Sequence, residues 1–175
     1  MRIVSWNVNG IRAVHKKNLL VPFIEKYQPD ILCLQETKAK QAQSEVDLPQ
    51  FEEYWNSAEK AGYSGTAIFT RSTSSLQGTE VPSGSRTARQ AKLKPISVTL
   101  GLPEKIIKKY DLRIDDYGDP NSEGRVLTLE YPDFFVTTVY TPNAKDDLSR
   151  IPLRHKKWDP AFLEFCKRLD KKKPV

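Results

Sequence analysis

Residues 29–37, Pro-Asp-Ile-Leu-Cys-Leu-Gln-Glu-Thr, restrict the fold more than any other stretch of the chain. The run Ile31-Leu32-Cys33-Leu34 is apolar at every position. It therefore predicts a short strand covered on both faces, of the kind found inside layered α/β domains. The run ends on Gln35 and Glu36. A carboxylate in that place has to be solvated, paired or bound to a cation, because an unpaired buried charge is very costly. Taken alone, Glu36 reads as an ordinary strand-end glutamate in water, since acidic side chains are mostly exposed. A second stretch shifts the balance. Ile3-Val4-Ser5-Trp6-Asn7-Val8-Asn9-Gly10 is another short strand, and it runs into amide oxygens at a glycine turn. Two strands ending in oxygen donors can hold a hard cation such as Mg²⁺, which keeps several waters and needs few carboxylates.

Between these stretches Arg12, His15, Lys16 and Lys17 form a basic lead into a helix. Leu19, Leu20, Phe23, Ile24 and Tyr27 recur at helical spacing, with Asn18 as the expected N-cap and Pro29 as the stop. Residues 38–50 are polar and irregular, with room for one short helix. Tyr54–Ser57 and Thr66–Thr70 predict strands joined by the turn Gly62-Tyr63-Ser64-Gly65, with Tyr63 exposed at the corner. Residues 71–94 lose the pattern. They carry five Lys/Arg against the single acid Glu80, a net charge of +4, and are expected to form a flexible basic insertion.

A strand is expected at Ile96–Leu100, followed by a charged stretch, 104–123, with turn signals at Gly118 and Pro120. Arg125–Glu130 and Phe134–Tyr140 predict a hairpin around Pro132-Asp133. The second strand runs into Thr141-Pro142-Asn143. Asp159 as N-cap and Pro160 at the first helical position open a helix with Phe162, Phe165, Cys166 and Leu169 on one face. Lys173-Pro174-Val175 resembles the entrance to a further strand.

With 175 residues, one domain is the expectation, and a formal charge of +6 favours an anionic partner. Cys33 and Cys166 offer neither a metal-finger spacing nor a disulfide framework. No apolar run has the length of a membrane span and the first residues begin a strand, so the expectation is a soluble intracellular protein that does not engage membranes.

Laid side by side, these pieces resemble the exonuclease III family of apurinic/apyrimidinic endonucleases, within the endonuclease/exonuclease/phosphatase superfamily. The blocks that carry the resemblance are Ser5-Trp6-Asn7-Val8-Asn9-Gly10-Ile11-Arg12, Pro29 through Lys38, Gly62-Tyr63-Ser64-Gly65, Glu123-Gly124-Arg125-Val126, Tyr140-Thr141-Pro142-Asn143, and Arg154 with Trp158-Asp159. The resemblance implies a four-layered α/β sandwich of two mixed β-sheets flanked by helices. Residues 1–175 would be its N-terminal portion, about the first half. It also implies hydrolysis of the DNA phosphodiester 5′ to abasic sites in double-stranded DNA, with 3′–5′ exonuclease trimming. Mg²⁺ is the implied cofactor, with Mn²⁺ as the alternative ion. By the same resemblance Glu36 is the metal carboxylate and Asn7 the amide that orders the metal site. Asn9 stands where the family carries Asp or Asn. Tyr140 and Asn143 point at the scissile phosphate, and Arg12, Lys17, Tyr63 and Arg125 contact or frame the DNA. A monomer is expected for the complete protein, in the nucleus, the mitochondrion or a bacterial cytoplasm.

The family's later Gly-Asp-x-Asn motif and its terminal Asp-His pair find no match. Gly118-Asp119-Pro120-Asn121 spells the first, but it lies in a polar loop with no strand leading in and reads as coincidence. The chain is therefore expected to be inactive by itself and to present an open apolar face. Two other readings remain: a non-catalytic DNA-binding remnant, and a superfamily phosphodiesterase or phosphatase with another substrate.

Overall fold

In the computed structural model, which describes residues 1–44, 46–72, 94–113 and 118–175, β1 (Ile3–Asn7) and β2 (Ile31–Gln35) pair in parallel. Parallel neighbours need a crossover. It is made by α1 (Ile11–Lys16) and α2 (Leu20–Tyr27). β2 then pairs antiparallel with β4 (Thr66–Arg71), and β4 with β3 (Phe51–Asn56), giving the order β1-β2-β4-β3. A second sheet, β5-β6-β7, is antiparallel and consists of Ser97–Leu100, Val126–Glu130 and Phe135–Val139.

Strand alternation sorts the side chains into three packed layers. Leu32, Leu34 and Phe69 meet Ile11, Leu20 and Ile24 under the first helices. Ile31, Cys33 and Ile68 meet Leu127, Leu129 and Val136 between the sheets. Each such aliphatic side chain taken from water contributes roughly 1.5–3 kcal/mol, which makes β2, covered on both sides, a principal anchor. Burial pushes the Cys33 thiol up to about 12, so it packs as an inert apolar group. On the far side of the second sheet α3 (Glu104–Lys109) and α5 (Asp159–Asp170) cover Val126 through Ile106, Ala161 and Phe165, joined by Trp158 just before α5. The layers run helix, sheet, sheet, helix: a four-layered α/β sandwich.

Several local expectations give way to tertiary packing. Asn18 is no N-cap. It adopts φ 55 between α1 and α2, and α2 starts with Leu19 in that position without a side-chain cap. Asp159 is not an N-cap either, because α4 (Ile151–Leu153) and a π turn at Arg154–Trp158 run directly into α5. Its carboxylate instead takes the Arg154 guanidinium at 3.1 Å. The charged stretch after β5 contains α3, hidden in the sequence by its lysines and secured by the burial of Ile106. Gly118–Asn121 serves a loop, in which the Asn121 backbone N–H donates to Asp119 Oδ1 at 2.8 Å. Of the expected insertion 71–94, positions 73–93 lie outside the described residues.

The expected open apolar face belongs to edge strands. Ile3 of β1 is 48% exposed although it shares the inner face with buried Ile31, and Val98 and Leu100 of β5 are also exposed. Beyond α5, the Pro174 carbonyl accepts the Phe135 N–H at 2.8 Å, so the end of the described chain approaches β7.

α3 and α5 are tied by Glu164, which pairs with Lys109 at 2.5 Å, accepts the Tyr110 hydroxyl at 2.7 Å and meets Arg168. Lys109 is the main cause, ahead of Tyr110 and Arg168, that holds the Glu164 carboxyl down to about 2 from its ordinary 4.5. A depressed carboxylate stabilises the fold above its unfolded-state value and loses that contribution as pH falls toward the folded one. Urea midpoints at about pH 5 and about pH 3 will therefore differ more for the wild type than for Glu164→Gln. Equal differences in the two proteins would remove Glu164 from this role.

Candidate active site

The parallel register places Asn7 opposite Gln35, so β1 and β2 end at the same level. Their exit loops stay joined: Val8 N donates to Gln35 O at 3.0 Å, Gly10 N to Glu36 O at 2.7 Å and Ile11 N to Thr37 O at 3.0 Å. Asn9, Glu36 and Lys38 all adopt positive φ, at 46, 56 and 52. Asparagine tolerates that region, whereas glutamate and lysine enter it at a cost of order 1–2 kcal/mol each. The effect is to break the strand alternation and turn Glu36 toward the end of β7.

There the Tyr140 hydroxyl donates to Glu36 Oε1 at 2.7 Å. Burial, and then the hydrogen bond to the Glu36 carboxylate, push the phenol well above the usual tyrosine value. Tyr140 is accordingly a neutral donor at physiological pH. Lys38 Nζ lies 3.5 Å from the same Glu36 oxygen and donates to Asn9 Oδ1, while the Asn9 backbone N–H donates to Asn7 Oδ1 at 3.0 Å. One carboxylate beside amide oxygens, at a corner open to water, fits a hard divalent cation that keeps most of its hydration shell. The alternative of a cage with several acidic or histidine ligands is absent: no group of three or more His, Cys, Asp or Glu gathers among the described residues.

Behind Tyr140 stands Arg125, only 2% exposed. Its Nη1 donates to the Tyr140 carbonyl at 2.9 Å and its Nη2 to the Tyr63 hydroxyl at 3.1 Å. Arg125 therefore frames the site from within the protein and offers no surface contact of its own. Tyr63 is half-buried, where the sequence predicted exposure, because the 62–65 turn is stitched to the segment before β6: Gly65 N donates to Glu123 O at 3.3 Å and Thr66 Oγ1 to Gly124 O at 2.9 Å.

The sequence-predicted residues thus divide into two groups. Asn7, Asn9, Glu36, Tyr140, Arg125 and Tyr63 come together. Arg12 on α1 and Lys17 at its end are exposed and outside this hydrogen-bonded set. So is Asn143, exposed in the turn after β7, where its Oδ1 accepts the Lys145 N–H at 2.7 Å. Lys38 and Glu123 stood within recognisable blocks but carried no signal of their contacts. Arg150, buried beside Glu123, carried none at all.

The sequence pattern of the endonuclease/exonuclease/phosphatase family matches residues 4–92, half of the chain and both strands that end at Asn7 and Glu36. The chain belongs to this family. An exodeoxyribonuclease of Bacillus subtilis is 37% identical over all of this chain and 56% of its own length. The DNA repair nuclease APEX1 of Danio rerio is 37% identical over all of this chain and 46% of its own. Among solved structures, the AP endonuclease LMAP from Leishmania major superposes with a TM-score of 0.67 at 30% identity, over 97% of this chain and 48% of that one. The chain thus spans about half the length of these family members.

Gly124 keeps the corner closed. At φ 62, an added Cβ would collide with Asn56 O and come within 2.7 Å of Ser57 C, both backbone atoms. Gly124→Ala is expected to cost on the order of 2–4 kcal/mol, read as a lowered urea midpoint. An unchanged midpoint would show that the 56–58 turn yields freely.

Proposed function

We propose that this chain supplies the metal-holding and phosphate-facing side of a DNA repair nuclease. The reaction is hydrolysis of the phosphodiester 5′ to an abasic site in double-stranded DNA, with 3′–5′ exonuclease trimming. The observation that carries this reading is the hydrogen bond from Tyr140, at the end of one sheet, to Glu36, at the end of the other. It sets a neutral donor and a metal-type carboxylate at one open corner. The names of the relatives, exodeoxyribonuclease and DNA repair nuclease, support the substrate. Alignment of the whole chain to about half of each supports reading residues 1–175 as a portion of such a domain.

Glu36 and Asn7 would hold Mg²⁺, or Mn²⁺ in its place, which supplies Lewis-acid stabilisation of negative charge on phosphate oxygens. Tyr140, its hydroxyl turning from Glu36, and Asn143 would orient the phosphate by hydrogen bonding, as neutral donors aimed where charge develops. Arg12 and Lys17 attract the sugar-phosphate backbone without reading bases, and Tyr63 packs against the strand. None of Asn7, Asn9, Tyr140 and Asn143 is a base at neutral pH, so activation of the attacking water is not assigned to them.

The test joins the chain to the remaining C-terminal part of the Bacillus subtilis relative and uses a duplex with a tetrahydrofuran abasic analogue. A single 5′ nick that requires Mg²⁺ and is abolished by EDTA is expected, with Glu36→Ala lowering kcat by at least about 100-fold. Undiminished nicking by Glu36→Ala would remove Glu36 from the reaction. Salt-dependent DNA binding with no nicking by the wild-type fusion would favour a DNA-binding remnant instead.

A further inference from the structure

A buried ion network lies behind the site. Glu123 stands between two guanidinium groups: its Oε2 accepts Arg125 Nε–H, and its Oε1 lies 3.6 Å from Arg150 Nη2. All three side chains are almost wholly removed from solvent. Desolvating three charges is expensive, and well-packed apolar side chains of similar volume commonly stabilise a fold as well or better. Stability by itself is a poor reason for this arrangement.

Its geometry points toward Tyr140. With Nε committed to Glu123, the fixed fork of Arg125 places Nη1 on the Tyr140 carbonyl at 2.9 Å and Nη2 on the Tyr63 hydroxyl at 3.1 Å. The guanidinium carbon lies 5.0 Å from the Tyr140 ring centroid and 5.8 Å from that of Tyr63. The Tyr140 N–H returns a bond to Arg125 O at 2.8 Å, which closes the pair. An arginine fork is planar and rigid, so the group that fixes one edge of it fixes the others.

We propose that Glu123, itself held by Arg150, is a positioning residue that acts through Arg125 to set the Tyr140 phenol on Glu36 and the Tyr63 ring beside it. This extends the nuclease reading above and rests on it for its kinetic consequence. Among the described residues the Glu123 carboxylate makes no hydrogen bond to either tyrosine, so what its side chain does at the site passes through Arg125.

Two variants test this in the nuclease fusion, Glu123→Gln and Arg125→Lys. Each is expected to lower kcat for abasic-site nicking about tenfold with KM changed by less than about twofold, because the group misplaced is one that acts on the reacting phosphate. Arg125→Lys is the sharper of the two: it keeps the charge opposite Glu123 and loses only the fork. A role confined to charge balance in the fold predicts its kcat unchanged. Either folded variant with wild-type kcat, or a loss lying entirely in KM, overturns the proposal. Should Glu123→Gln not fold, Arg125→Lys decides alone.

A second measurement needs no activity. With ¹³C-labelled tyrosine in the chain itself, Glu123→Gln is expected to shift the ring resonances of Tyr140 and Tyr63, and to leave those of Tyr54 and Tyr131 in place. Unmoved Tyr140 resonances in either folded variant overturn the proposal. If the wild-type fusion does not nick, the nuclease reading fails by itself and these resonances decide the positioning role.

Discussion

The parallel pairing of β1 with β2 is the constraint on which the rest depends. Parallel neighbours finish at the same edge of a sheet, so the one-residue offset between Asn7 and Gln35 on one side and Glu36 on the other becomes proximity in space. β7 reaches that corner from the second sheet because the faces between the sheets are matched. Gln35 Nε2 donates to Thr138 Oγ1 at 2.7 Å, one pleat before Tyr140 meets Glu36. The apolar layer of Ile31, Cys33, Leu127 and Leu129 holds the two sheets at the spacing these bonds require.

The corner itself is built from groups that oppose folding. Left-handed backbone at Glu36, Lys38 and Ser64, none of them glycine, persists only where surrounding bonds over-determine it, and the paired exit loops of β1 and β2 do so. The buried Glu123, Arg125 and Arg150 add a desolvation cost that strong mutual pairing offsets. Strain and buried charge in the same few ångströms are characteristic of a site whose side chains must hold one orientation. The rest of the molecule, with leucine, isoleucine and phenylalanine in three layers, supplies the stability that permits it.

Much of this was legible in the order of residues. The two-sided burial of β2, the hairpin of β6 and β7, and the strand-end positions of Asn7, Glu36 and Tyr140 follow from hydrophobic runs and turn residues, which act over a few neighbours. Capping was less legible. Asn18 and Asp159 have the right chemistry for N-caps, but the α1–α2 turn puts one in left-handed backbone and the continuous helix beginning at Ile151 leaves the other inside a helix. α3 was hidden because its single buried side chain, Ile106, is defined by a helix that arrives some fifty residues later in the chain.

By itself, the sequence determined which short segments would be strands, that β2 would be interior, and that a carboxylate, amides and a tyrosine would stand at strand ends. Those properties are set by local apolar pattern and by the cost of burying charge. Only the tertiary structure decided that Glu36 turns to Tyr140, that Arg125 lies beneath the site instead of on its surface, and that Glu123 and Arg150 share its environment. The physical reason is that a hydrogen bond or ion pair between residues far apart in the chain is fixed by where whole layers pack. A side chain's own neighbours carry no trace of which distant group will reach it.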